Sequence, residues 1–294
     1  MRKAVLLFSL LFFATMVQFS PSVEGQINPD VNITCEQPPL MHVYPGASRI
    51  TTALCTAENP TLYVEDVEIQ VQASGLSYSA PGSITIAAGD SATFEVVFRG
   101  EAEMPEGSRQ ATISARVDTA NGIPCATCET KSVNVLIIIA QFSSLRVDAV
   151  TPFVEMETNQ NYTLEFKIYN DGNARDRFLI STDTEYFEEE DWGVYIETPS
   201  IEIDSKAPPE TIRVIIDSPS ELEGEIAHFN FQLTVTSDFS IRQEAAPNQQ
   251  FSVSEIKVHQ VEDDSVTSKL LPAVNFPLTL LVILGVAIRF GKRE

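Results

Sequence analysis

From Val67 onward, apolar residues recur at every second position. The series are Val67, Ile69, Val71; Ile84, Ile86; Phe94, Val96, Phe98; Ile113, Ala115, Val117; and Val133, Val135, Ile137, Ile139. Strict alternation over short runs, broken by Gly, Pro and Asn, predicts strands with one face buried. A short opening strand is expected over residues 31 to 36, ended by Pro38-Pro39, with a turn at Tyr44-Pro45-Gly46. No stretch carries a helical period. After a short connection at Gln141 to Ser144 the alternation resumes, in Leu164, Phe166, Ile168; Phe178, Ile180; Ile201, Ile203; Ile212, Val214, Ile216; and Phe229, Phe231, Leu233, Val235. The closing strand is irregular. Phe251 and Val253 share one phase, Ile256 and Val258 the other, so a β-bulge near Ser254 or Glu255 is expected to restore register. Such runs suit an all-β chain of two small antiparallel sandwiches, residues 26–141 and 145–261.

The two halves also resemble each other. Phe94–Gly107 lines up with Ile212–Gly224, and the stretch "CTAENPTLYVEDVEIQV" with "IYNDGNARDRFLIST", as strand, Asn-containing turn and strand. Two copies of one module is the economical reading.

Both chain ends depart from this pattern. Arg2 and Lys3 precede an apolar run, Ala4 to Val17, with small residues around Gly25, which reads as a secretory signal over residues 1–25; an uncleaved anchor is the competing reading. Leu270 to Ile288 is largely apolar and, at ~1.5 Å per residue, would reach about 28 Å as a helix, close to the hydrocarbon thickness of a bilayer. Arg289, Lys292 and Arg293 follow, within a basic tail at 289–294. Positive charge is retained inside, so the expectation is a single-pass type I protein of the cell membrane with residues 26 to about 262 outside. An acidic stalk, 262–269, joins the two parts. Pro272, Asn275 and Pro277 interrupt the apolar segment, so a processed C-terminal sorting signal stands beside the permanent helix as an alternative.

Charge narrows the partners. The whole chain carries −22, and between residues 26 and 270 there are 14 basic against 39 acidic residues. Nucleic acid and anionic headgroups are repelled by such a surface, which excludes binding to either through a basic patch.

Four cysteines, Cys35, Cys55, Cys125 and Cys128, all fall in the first half. Outside the cytoplasm they read as disulfides, and the favoured pairing is Cys35 with Cys55 and Cys125 with Cys128. The second pair would staple a hairpin tip after the turn signal Asn121-Gly122. A redox pair would want a helix start beside the first cysteine, and a zinc site a second ligand pair; neither is evident.

Tyr162 to Thr182, "YTLEFKIYNDGNARDRFLIST", and the following "WGVYIETPSIEIDSKAPPETIRVIIDSP" resemble immunoglobulin-like domains of the CARDB and NPCBM-associated type, found in tandem on prokaryotic and often archaeal surface proteins. The resemblance covers about 145 to 260 and extends more weakly over 31 to 140, where Asn59-Pro60 replaces the usual Asn-Gly. It implies an adhesive or spacer role without catalytic residues. Asp171-Gly172 would supply the positive φ of a tight hairpin, with Asn side chains capping local backbone groups.

Candidate chemistry is sparse. His42, His228 and His259 form no close-spaced pair, and no nucleophile elbow or phosphate loop is present, so no enzyme and no cofactor are expected. Glu188, Glu189, Glu190 and Asp191 could offer oxygens to calcium, but lack the spaced carboxylates and glycine of a calcium loop and read better as a solvated loop. Trp192, just after them, is expected at a sheet edge or loop. Asn32 and Asn161 head N-x-Thr sequons and are candidate glycosylation sites. The expected partner is a protein or glycan at the cell surface, met by an adhesive ectodomain; a structural envelope component or an accessory subunit of a membrane complex is the alternative.

Overall fold

The computed structural model describes residues 28–261. The expected signal, acidic stalk, membrane segment and basic tail lie outside the described residues. The described chain forms two compact units: one takes in the residues up to Ser144 together with Asp171–Arg175, the other Leu145–Asn170 and the residues from Asp176 onward.

In the first unit the strands are β1 (Asn32–Cys35), β2 (Ile50–Glu58), β3 (Glu65–Ala73), β4 (Ser77–Ser79), β5 (Ser83–Ile86), β6 (Ser91–Arg99), β7 (Gly107–Ala120), β8 (Ile123–Pro124) and β9 (Thr130–Ile139). One sheet runs β1-β2-β6-β4; the other runs β5-β3-β7, with β8 and β9 both on the far edge of β7. The alternating residues do what their spacing predicts. Val67, Phe98, Ile113, Val135 and Ile137 turn inward between the sheets and are buried. Their neighbours in sequence point to water, the ordinary outcome when antiparallel sheets have one wet face. Met41 forms a parallel bridge with Ile139, so the leading segment touches both sheets in turn. The turn at Tyr44-Pro45-Gly46 is formed, with Ala47 N donating to Tyr44 O at 2.9 Å and Gly46 at φ 90°.

The second unit contains β10 (Leu145–Ala149), β11 (Phe153–Glu157), β12 (Asn161–Asn170), β13 (Asp176–Ser181), β14 (Gly193–Ile196), β15 (Ser200–Ile203), β16 (Glu210–Asp217), β17 (Ile226–Ser237) and β18 (Gln249–His259). Its sheets run β10-β12-β16-β14 and β11-β18-β17-β13-β15. An aromatic core joins them. Phe231 lies 5.9 Å from Phe166 and 5.3 Å from Phe187, ring centre to ring centre.

Both units follow one plan. In immunoglobulin lettering, β1 and β10 are strand A, β2 and β12 B, β3 and β13 C, β4 and β14 D, β6 and β16 E, β7 and β17 F, and β9 and β18 G. The extra strands β5 and β15 pair with C, yet in sequence they follow D. The two sequence segments that align between the halves are thus the B–C and E–F stretches of equivalent modules. An all-β, immunoglobulin-like sandwich, present twice, follows from the strand pairing itself.

Three expectations are corrected. No bulge restores register in β18, whose pairing with β17 is unbroken from Gln249 to His259. Instead Ser254 takes the core position, its hydroxyl donating to Thr151 O at 3.0 Å, while Phe251 and Val253 stay on the wet face. A register shift does occur, in β3 between Asp66 and Val67. The Asn170–Asn173 turn closes no hairpin, because β12 and β13 lie in different sheets and the turn is a crossover. Two short helices, α1 (Thr184–Glu189) and α2 (Asp238–Gln243), escaped the pattern because six residues make fewer than two turns. Trp192 does lie in a connection, directly before the edge strand β14, and its side chain is buried in the core, edge-on to Phe229 at 4.9 Å.

Candidate functional site

The B–C connection of the first unit, residues 59–64, is held from beneath by polar groups that water does not reach. Asn59 is fully buried. Its Nδ2 donates to Tyr63 O at 2.6 Å, Ala87 O at 3.1 Å and Ile86 O at 3.3 Å, and its Oδ1 accepts from Thr61 N at 2.9 Å and Thr61 Oγ1 at 2.7 Å. One side chain therefore fixes the loop to the end of β5, an arrangement in which almost every polar atom has a partner. Glu65, at the head of β3, is also buried. Its Oε1 accepts from Thr61 Oγ1 at 3.0 Å and Asp30 N at 3.3 Å, whereas Oε2 has no hydrogen-bond partner. Burial pushes its carboxyl above the ordinary value of 4.5, against the lowering effect of those two donors.

The second unit repeats this device. Asn170 ends β12 as Asn59 follows β2, and its Nδ2 donates to Ile203 O at 2.8 Å, the counterpart of Ile86. Asp176 heads β13 as Glu65 heads β3, and each is paired with the corresponding isoleucine, Ile203 or Ile86, on the C strand's outer neighbour. Asp176 accepts from Ser237 Oγ and from Phe239 N, tying α2 to the sheet. These four buried polar residues were invisible to the sequence reading, since polarity alone argues for exposure. The only signal was the Asn in both aligned B–C segments.

On top of the anchored loop in the first unit sit apolar side chains. Leu62 is 89% exposed, Ile123 57% and Val64 46%. Pro60 and Pro124 are exposed beside them in sequence. The F–G connection supplies Ile123 through a tight turn at Asn121 and Gly122, both at positive φ, as the Asn-Gly signal predicts. It is joined to the B–C loop: Asn121 N donates to Val64 O at 2.8 Å and Val64 N to Asn121 Oδ1 at 3.1 Å. Gly89 N donates to Thr61 O at 2.9 Å, adding the loop after β5. Cys125 N donates to Asp118 O at 2.8 Å. Shallow clefts of about 170 and 210 Å³ flank the 125–128 disulfide, the first lined by Ile123 and Pro124, the second by Asp30, Glu129 and Lys131. Lys131 Nζ lies 2.7 Å from Glu129 Oε2, and this hydrogen bond lowers the Glu129 carboxyl and raises the ammonium. What the sequence reading missed here was legible in retrospect: Leu62 and Val64 stand in a connection where polar residues are the rule.

The residues singled out from sequence fall elsewhere or play other parts. Cys35 bonds Cys55 directly across the β1–β2 pair, and Cys125 bonds Cys128, so both favoured disulfides are formed. Asn32 is exposed on β1 and Asn161 is exposed at the head of β12. Glu188 and Glu189 end α1, with Glu190 and Asp191 in the turn after it, all four exposed. Asp191 N donates back to Glu188 O at 3.2 Å, closing the turn just before Trp192. Among the described residues no group of three or more His, Cys, Asp or Glu side chains is placed to hold a metal ion. His42 lies beside Tyr44 in the first unit, the rings tilted and 6.0 Å apart. His228 Nδ1 lies 3.1 Å from Glu255 Oε1 on the wet face of the second, two rungs along the ladder from His259. Among the described residues no helix is long and apolar enough to cross a membrane.

No protein-family model matches the chain, and no curated protein matches it. Solved structures do show likeness. Mouse clustered PcdhgC3 EC1-3 is 10% identical with a TM-score of 0.41, over 80% of this chain and 68% of that one. A FixG-related protein from Vibrio parahaemolyticus is 11% identical with a TM-score of 0.30, over 37% and 95% respectively. The class 5 fimbriae chaperone CfaA is 10% identical with a TM-score of 0.27, over 75% and 99%. Overlaps of this size carry no functional argument, and the immunoglobulin-like sandwich rests on the strand order described above.

Proposed function

We propose that this chain is a single-pass, membrane-anchored cell-surface protein whose two modules face outward and act by non-catalytic contact with another protein or a glycan. The observation that carries the contact function is the loop tip of the first unit, where exposed apolar side chains stand on a hydrogen-bonded base. Soluble proteins seldom leave grouped apolar side chains in water without a use for them. Membrane attachment is supported by the apolar segment 270–288 with its basic tail, and an oxidising exterior by the two disulfides. The resemblance of Tyr162–Thr182 to CARDB-type domains agrees with an adhesive or spacer role at a prokaryotic, often archaeal, surface.

Protease treatment of intact cells expressing the full chain tests the orientation, and chemical cross-linking on the same cells tests the contact. The expected result is loss of residues 28–261 to protease with the C-terminus retained, plus a cross-linked partner. A chain that is protected in intact cells, or that fractionates as soluble protein with Glu294 retained, overturns the reading.

A further inference from the structure

We infer that the loop tip of the first unit is a docking site for a protein surface that offers an apolar pocket bordered by lysine or arginine; this rests on the contact function proposed above. Three properties of the tip lead there. Its apolar members, Leu62, Val64 and Ile123, come from two connections bonded to each other through Asn121 and Val64. Being held in place before any partner arrives, they lose little conformational freedom on binding, which favours affinity. Second, the border is acidic. Glu58 immediately precedes Asn59, Asp90 O accepts from Asn59 N, Asp118 O accepts from Cys125 N, and Glu129 follows Cys128; all four are exposed. Third, no Lys or Arg occurs in 58–64, 87–90 or 118–129, and Lys131, just past the last of these, is engaged by Glu129 and lies 3.9 Å from Asp30.

Charge then selects among occupants. A second copy of this chain, at −22, would meet acid with acid. An anionic bilayer would be repelled for the same reason. An apolar pocket with a basic border satisfies both the crown and its rim, in the usual arrangement of a desolvated centre with a charged periphery.

The test uses the full chain held in a phosphatidylcholine nanodisc, challenged with a displayed library of random peptides. Peptides that combine Leu, Ile or Phe with Lys or Arg are expected to enrich. Recovery should fall about tenfold for Leu62→Asp, the size expected when a central anchor is lost, and also for Ile123→Asp. Glu58→Lys with Asp118→Lys should reduce it as well, and raised salt should weaken it further. Leu62 is almost fully exposed, so its replacement leaves the fold intact, which an unchanged far-ultraviolet dichroism spectrum verifies. Enrichment without basic residues, recovery indifferent to Leu62→Asp, or no enrichment at all would overturn the assignment. So would Leu62-dependent self-association, or Leu62-dependent binding to phosphatidylcholine vesicles. A cross-linked partner on cells that contacts another face would spare the contact function while removing this site.

Discussion

Replacing Asn59 separates a structural role from a functional one, and its cost can be worked out. The amide donates to three carbonyls and accepts twice from Thr61, but two N–H bonds serve the three acceptors, so about four hydrogen bonds are at stake at roughly 1 kcal/mol net each. Ala87 is exposed and Thr61 half-buried, so water replaces part of the loss; Ile86 is buried and its carbonyl is left without this donor. Asn59→Ala should therefore cost about 3 kcal/mol. With a urea slope of about 1.5 kcal/mol per molar, the midpoint of the first module falls by about 2 M. Asn59→Asp should be worse still at neutral pH, because it turns an oxygen toward three carbonyl oxygens and buries a charge. It should recover toward the Ala variant as pH falls and the carboxyl takes up a proton. The single tryptophan makes the assay clean. Trp192 is buried in the second module, so its fluorescence follows that module alone, while far-ultraviolet dichroism follows both. A shift in the dichroism transition with an unmoved fluorescence transition is expected. A loss below about 0.5 kcal/mol, or an Asp variant as stable as Ala at pH 7, would refute the reasoning.

Other outcomes follow from the same structure. Removing the Cys35–Cys55 bond, whose partners are 20 residues apart, should cost about 3 kcal/mol by loop-closure entropy, against less than ~2 kcal/mol for Cys125–Cys128 at a separation of 3; denaturation midpoints of the two double-alanine variants give the ranking. Glu65 has a raised carboxyl pKa in the folded chain, so wild type is favoured at low pH and loses that stability as pH climbs from its ordinary value of 4.5 through the folded one. Glu65→Gln should remove that slope and gain on wild type as pH rises; parallel curves across this window would count against burial as the cause. Phe231→Ala, fully buried between Phe166 and Phe187, should cost about 3 to 5 kcal/mol and move the Trp192 transition while sparing the first module.

Comparison of pattern with structure shows which physics a sequence displays. The core was legible because a pleated strand buries alternate residues, and Val67, Phe98, Phe166 and Phe231 sit where period two puts them. The duplication was legible because equivalent B–C and E–F segments keep the same pattern. Ser254 misled because its burial depends on an acceptor, Thr151 O, that comes from a distant segment. Asn59, Glu65, Asn170 and Asp176 were hidden for the same reason: a polar residue is buried only when the fold supplies its partners. Leu62 and Val64 were visible as apolar residues in a connection, but nothing in the sequence shows that the Ile123 turn is bonded to that connection through Asn121 and Val64.

The strand order has a consequence for how such a module is made. In the second unit the chain changes sheet at every connection from β10 to β17, and only β17 and β18 are joined as a hairpin within one sheet. Local pairing is thus confined to the last two strands, and the closing strand β18 also lies beside β11, from near the module's beginning. Loop closure between distant segments must precede nearly every other contact, which makes folding slow for its size and ties it to the arrival of the final strand. During synthesis the module has to wait for Gln249–His259 before it can settle, and a chain stopped before Gln249 should leave β11 and β17 with open edges and aggregate rather than fold.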